Sequence, residues 1–151
     1  NIYLGVNNGV SAANLTLNGG DYEQATGVNE AVIQVNGGDT GVKTITATDC
    51  SFDSTDDTFY LAGPATTTLT RCSVTGATGI YAKSGTVTVT GGEISSLAET
   101  AVEPTTDNDG TQGLGYAMIV ETGRMRGSPS PSAMTFATRA LPTRPLPSSN
   151  G

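Results

Sequence analysis

Stacked parallel strands in an all-β solenoid are the fold this sequence predicts. Three observations predict it: a thin apolar content, an internal repeat, and a fixed odd offset between two buried positions within each repeat. Only 36% of the 151 residues are hydrophobic and 5% aromatic, too little bulk to close a conventional core of this size against the entropy of ordering the chain. A solenoid needs less, because each layer buries a narrow stripe on its neighbours. The 20 Gly, with abundant Thr, Ser, Asn and Asp, suit turns and exposed strands better than helices.

The repeat has two parts. Four segments superimpose without gaps: LTLNGGDY (15–22), ITATDCSF (45–52), TLTRCSV (68–74) and VTVTGGEI (87–94). Their alignment puts Gly20, Cys50, Cys72 and Gly92 in one column. A shorter apolar motif recurs between them as Ile2-Tyr3, Ala31-Val32, Phe59-Tyr60, Ile80-Tyr81 and Ala101-Val102. The last three copies stand about 21 residues apart, one turn of a coil, and the longer earlier steps read as loop insertions.

Within the longer motif, alternation of apolar and polar residues is that of a strand with one buried face. Leu17, Ala47, Leu69 and Val89 form one inward column. Tyr22, Phe52, Val74 and Ile94, an odd number of residues further on, form a second. Strand parity would reverse between them unless the chain bends. The bend falls at Gly19-Gly20 and Gly91-Gly92, where glycine supplies the backbone freedom. A bend at the same place in every repeat is the corner of a coil, and the fold expected over residues 1–122 is a parallel β-helix of about four to five rungs, right-handed as such crossovers nearly always are.

The stretch GIYAKSGTVTVTGGEISS (79–96) and its weaker copies resemble the rungs of right-handed parallel β-helix surface proteins. These include adhesin-like and autotransporter-passenger repeats and secreted carbohydrate-binding β-helix proteins. The resemblance covers roughly residues 1–122. It implies a fold rather than a function, because that architecture carries lyases, adhesins, capsule-degrading spikes and structural proteins alike.

Residues 123–151 differ in kind. No acidic residue follows Glu121, while Arg124, Arg126, Arg139 and Arg144 are four of the seven basic residues. Five of the seven Pro lie between Pro129 and Pro147, a spacing that would strip donors from any central strand. An irregular Pro/Arg-rich tail is expected, either an extended cap along the solenoid or a segment that docks a neighbour through Met134, Phe136, Leu141 and its arginines.

Charge and composition bound the function. The net charge of −7 lacks the basic footprint that nucleic acid requires. No run approaches the roughly 18 apolar residues of a membrane span. Asn1 rather than Met opens the sequence and no charged-then-apolar leader follows, which reads as a processed or excised product. An extracellular or cell-surface location fits the low charged fraction of 14%.

Candidate chemistry is sparse. Thr16, Thr46, Thr68 and Thr88 align as an outward column, and Asn18, Thr48, Thr70 and Thr90 as another. Stacked at roughly 4.8 Å between strands and roughly 6.7 Å along them, they would form a Thr-X-Thr lattice. Ice-binding solenoids use such a lattice, sugars are a second partner for it, and a plain exposed β surface is the third reading. Cys50 and Cys72 share the inward column of consecutive rungs, where strand spacing suits a disulfide; two reduced core thiols are the alternative. With no His in the chain, neither thiol has a base to activate it and a zinc site is excluded from the expectation.

Two acidic groups, Asp53, Asp56 and Asp57, then Glu103, Asp107 and Asp109, sit among turn residues and read first as solvated turn acids; Ca²⁺ is the alternative, since they offer oxygen ligands but match no defined calcium loop. No other cofactor is expected. Asn14-Leu15-Thr16 fits the N-glycosylation acceptor pattern, which would make the chain a glycoprotein. A lyase would need grouped carboxylates and a basic residue. Within the rungs only Lys43, Arg71 and Lys83 are basic, and an Asp49–Arg71 ladder pair accounts for one of them. A glycosidase would need two carboxylates at a defined separation. No catalytic residue is therefore assigned, and the expectation is a non-enzyme. Ile2-Tyr3 opens the first rung with no capping helix before it, which invites end-to-end stacking. A structural or adhesive extracellular protein, a self-associating filament or surface-layer subunit, is the reading this favours. A carbohydrate-binding module is the alternative, with lyase and ice-binding protein behind it.

Overall fold

The structure, a computed structural model, describes residues 1–5, 12–24, 31–35, 41–97, 115–120 and 136–139, with the backbone alone for 120 and 136–139. Every regular element among them is a strand. The order is β1 (Ile2–Leu4), β2 (Ala12–Asn18), β3 (Asp21–Glu23), β4 (Ile33–Val35), β5 (Val42–Thr48) and β6 (Ser51–Asp53). Then come β7 (Asp57–Leu61), β8 (Thr66–Gly76), β9 (Thr78–Ala82), β10 (Thr86–Ser96), β11 (Met118–Val120) and β12 (Phe136–Arg139).

The strands form two sheets. One has the order β1-β4-β7-β9-β11 and the other β12-β10-β8-β5-β2, with β3 beside β6 and β6 beside the second half of β8. Every pairing is parallel. The chain visits the sheets in turn, so neighbours within a sheet are successive visits. The long strands β8 and β10 carry both aligned columns through the bend that separates β2 from β3 and β5 from β6.

The pairing reproduces the long-motif columns. Leu17, Ala47, Leu69 and Val89 are in register, as are Tyr22, Phe52, Val74 and Ile94. The short motif needs correction. Ile2 pairs with Ile33 rather than with Ala31 or Val32, and Ile33 continues to Phe59 and Ile80. The strand opposite Ile80 begins at Met118, whereas Ala101-Val102 lies outside the described residues. Pairing at Ile33 turns Ile33 and Val35 inward with Leu4, and both are fully buried.

The bend is built from left-handed backbone in every layer. Gly19, Asp49, Arg71 and Gly91 have φ of 70°, 55°, 52° and 67°. At Gly92, where φ is 83°, an added Cβ would overlap the Cys72 backbone. Aromatic rings fill the interior just past the bend: Tyr22 stacks on Phe52 at 5.1 Å and Phe52 meets Phe59 edge-on at 4.9 Å.

The core is fully buried in its middle and half-buried at the outer described strands. Ile45, Ala47, Phe52, Phe59 and Leu69 have no exposure. The partly buried residues packed on that core are Ile2, Leu15, Leu17 and Tyr22 on β1–β3, and Val89, Ile94 and Met118 on β10 and β11. Those are inward positions of the outer strands among the described residues. The second sheet extends one strand further, because β12 adds Phe136–Arg139 alongside Val87–Thr90 of β10. A short strand of the Pro-rich segment thus covers part of that edge.

Candidate functional site

The outward face of the second sheet is a regular array. Thr16, Thr46, Thr68 and Thr88 are in register, and so are Asn18, Thr48, Thr70 and Thr90. The structure adds a third column, Asn14, Thr44, Thr66 and Thr86, which the aligned segments had not singled out. Its signal was present: the Thr alternation continues two residues upstream in KTITAT, TTTLT and TVTVT. The array is three positions wide and four strands deep, and carries neither charge nor ring. Asn14, Thr16 and Asn18 at the β2 edge are exposed, and the Thr of β5, β8 and β10 are mostly half-buried against one another. Constant register on a parallel sheet keeps hydroxyls and methyls in straight rows at the strand spacing, roughly 4.8 Å. Such a face presents hydroxyl, methyl and amide groups along its length.

Asn14 lies on strand β2, exposed, with the exposed Thr16 of its acceptor triplet beside it on the same face.

The bend beside this face holds charge outside and sulfur inside. Arg71 Nε donates to Asp49 Oδ1 at 2.7 Å and Nη2 to Oδ2 at 2.6 Å. That fork holds the Asp49 carboxyl below the usual carboxylate range and raises Arg71. Both side chains are more than half exposed, so the pair adds little stability. The expected Asp49–Arg71 pair is thus present, at the bend where both residues have positive φ, with Arg71 inside β8.

One residue on, Cys50 and Cys72 turn inward and are buried, with free thiols. Cys50 Sγ lies 3.2 Å from the Thr48 carbonyl oxygen and 3.6 Å from that of Gly19, and Cys72 Sγ lies 3.5 Å from that of Thr70. Burial pushes the Cys50 thiol up, with the adjacent Cys72 adding to the shift. The Cys50 sulfur is therefore not a poised nucleophile.

The first acidic group splits by burial. Asp53 is exposed, Asp56 half-buried and Asp57 only 1% exposed. Neither Asp57 oxygen has a hydrogen-bond partner. Burial, then the neighbouring Asp56 charge, push its carboxyl up to about 7. Thr78, opposite it in β9, and Lys83 oppose the shift, yet neither meets an Asp57 oxygen at hydrogen-bonding geometry. The Lys83 ammonium sits over the rings of Tyr60 at 5.4 Å and Tyr81 at 5.1 Å.

Among the described residues, no three or more His, Cys, Asp or Glu side chains converge as metal ligands. Glu103, Asp107 and Asp109 lie outside those residues, as do Met134, Leu141, Arg124, Arg126 and Arg144. No helix among the described residues is long and apolar enough to cross a membrane. No protein-family model, curated protein or solved structure matches the chain.

Proposed function

We propose that the chain is a right-handed parallel β-helix serving as an extracellular structural or adhesive scaffold that self-associates by end-on stacking of layers. The observation supporting this reading is the set of half-buried apolar side chains at the outer described strands. Packed on the core are Ile2, Leu15, Leu17, Tyr22, Val89, Ile94 and Met118, inward residues of β1–β3, β10 and β11. Their columns match in kind, so a layer laid on β1–β3 would extend each column with another apolar residue, while at the other end β12 already pairs with Val87–Thr90 of β10 and would be the strand a neighbour meets there. Parallel strands linked by crossovers are right-handed in nearly all cases, which supports the handedness. A head-to-tail contact of this sort does not close and propagates as a fibre.

The test is self-assembly of the purified chain, read by sedimentation and electron microscopy over a wide concentration range. Growth of end-stacked rods is expected, and Leu17→Lys should abolish it while preserving the circular dichroism of the monomer. Strictly monomeric particles at high concentration would remove the stacking reading.

The threonine array favours a second reading, a module that binds glycan chains along an uncharged, hydroxyl-rich face. A glycan array with no hits would remove it, and an ice-recrystallisation assay on the same sample separates sugar binding from water ordering.

A further inference from the structure

We propose that Cys50 and Cys72 are an oxidative cross-linking site, at which a small-molecule disulfide joins two consecutive layers of the fold. The backbone places the pair. Thr48 is in register with Thr70 and Ser51 with Ser73, so the offset is unchanged across the bend and Cys50 stacks on Cys72. Hydrogen bonds close the stack on both sides, from Asp49 N to the Thr70 carbonyl at 3.0 Å and from Ser73 N to the Cys50 carbonyl at 2.9 Å. Their α-carbons are therefore one strand spacing apart, roughly 4.8 Å, within the range of roughly 4.4–6.8 Å that a disulfide spans. Each sulfur contacts the carbonyl two residues before it, so both leave the backbone in the same sense.

The column around them is bare. Gly20 precedes the pair and Gly92 follows it, with Gly92 in register with Cys72, so a bridge displaces no side chain from its own column. The outer half of the corner reinforces this. Asp49 and Arg71 occupy left-handed backbone that Gly19 and Gly91 fill in the outer layers, and there they make a two-bond ionic fork. The two layers lacking glycine at the bend thus have a bridging pair outside and a stacked thiol pair inside.

The exchange balances. One cysteine, as thiolate, attacks a disulfide such as oxidised glutathione, forming a mixed disulfide and releasing one small thiol. The second cysteine sulfur then displaces the remaining glutathione. The protein loses two electrons and two protons, and the glutathione disulfide is reduced to two thiols. Both sulfurs are buried, so exchange needs the corner to open and runs faster in mild urea.

The test uses the full reduced chain, incubated with oxidised glutathione with and without mild urea, then alkylated and digested with trypsin. Expected is a disulfide joining peptides 44–71 and 72–83 in a monomer whose intact mass has fallen by two hydrogens. The thermal midpoint should rise by several degrees and return on reduction. A Cys50→Ala/Cys72→Ala double variant should show no such rise while melting near the reduced chain. Stable glutathione adducts on each cysteine, cross-linked dimers as the main product, or an oxidised monomer that melts no higher than the reduced one would each overturn the proposal.

Discussion

Replacing Asp57 by Asn should change how stability depends on pH. Asp57 is 1% exposed and both its carboxylate oxygens lack a partner. Its carboxyl is held near 7 against an ordinary 3.8. The folded protein thus keeps a proton that the unfolded chain releases at much lower pH, so the folded state binds more protons between those values and stability falls as pH rises. The contribution is complete below about pH 4, declines toward pH 7, and is gone above it. A gap of about three units at about 1.4 kcal/mol each sets an upper limit of about 4 kcal/mol. Asn keeps the shape of the side chain and cannot ionise. The groups facing it, Asp56, Thr78 and Lys83, are the same in both proteins, so subtraction removes their own titrations except where they couple to Asp57. Urea unfolding followed by circular dichroism, at one-unit steps from pH 4 to 8, gives the difference in stability between variant and parent. That difference should climb with pH by up to about 4 kcal/mol in favour of Asn, most of it between pH 5 and 7. A difference that stays flat from pH 4 to 8 would refute the reasoning and mean that water or an unseen partner solvates the carboxylate.

Two further substitutions probe the packing. Phe52→Ala removes a fully buried ring lying between Tyr22 and Phe59, and should cost about 3–5 kcal/mol in urea unfolding, with loss of near-ultraviolet dichroism. Thr67 is buried in the column between Ile45 and Val87, and its hydroxyl has no partner; Thr67→Val keeps the shape and should stabilise by about 1–3 kcal/mol, seen as a higher urea midpoint.

The long-motif register was legible because its signals are local. Leu17, Ala47, Leu69 and Val89 alternate with polar neighbours, and Gly19-Gly20 and Gly91-Gly92 mark the bend on the chain itself. The short motif misled at Ala31-Val32 because Ala31, Val32 and Ile33 form an unbroken apolar run, and alternation cannot phase such a run. All three are buried, and only pairing with Ile2 identifies Ile33 as the inward position. The burial of Asp57 was not legible at all. Its neighbourhood, DSTDDT, reads as a solvated acidic turn, and what encloses it is the adjacent strand carrying Thr78, some twenty residues later in the chain. Likewise FATR reads as part of a Pro-rich tail until β10 is seen to offer it a free edge.

The departures from regularity gather at one interface. Asp57 faces Thr78, Cys50 stacks on Cys72, Asp49 pairs with Arg71, and Ile45 lies against the orphaned hydroxyl of Thr67. Each contact joins the layer β5–β7 to the layer β8–β9. In the proposed β-helix, stability is close to a sum of terms within layers and between neighbours, so a defect weakens its own interface first. Ionising Asp57 should therefore loosen the contact between β7 and β9 before it loosens that between β8 and β10, whose register runs unbroken from Thr86 to Thr90 and holds no buried charge. After correction for intrinsic exchange rates, amide hydrogen exchange should show β7 and β9 losing protection between pH 5 and 8 relative to β10, and Asp57→Asn should restore it. Equal loss in all three strands would mean that the fold opens as one unit and that the interface has no separate weakness.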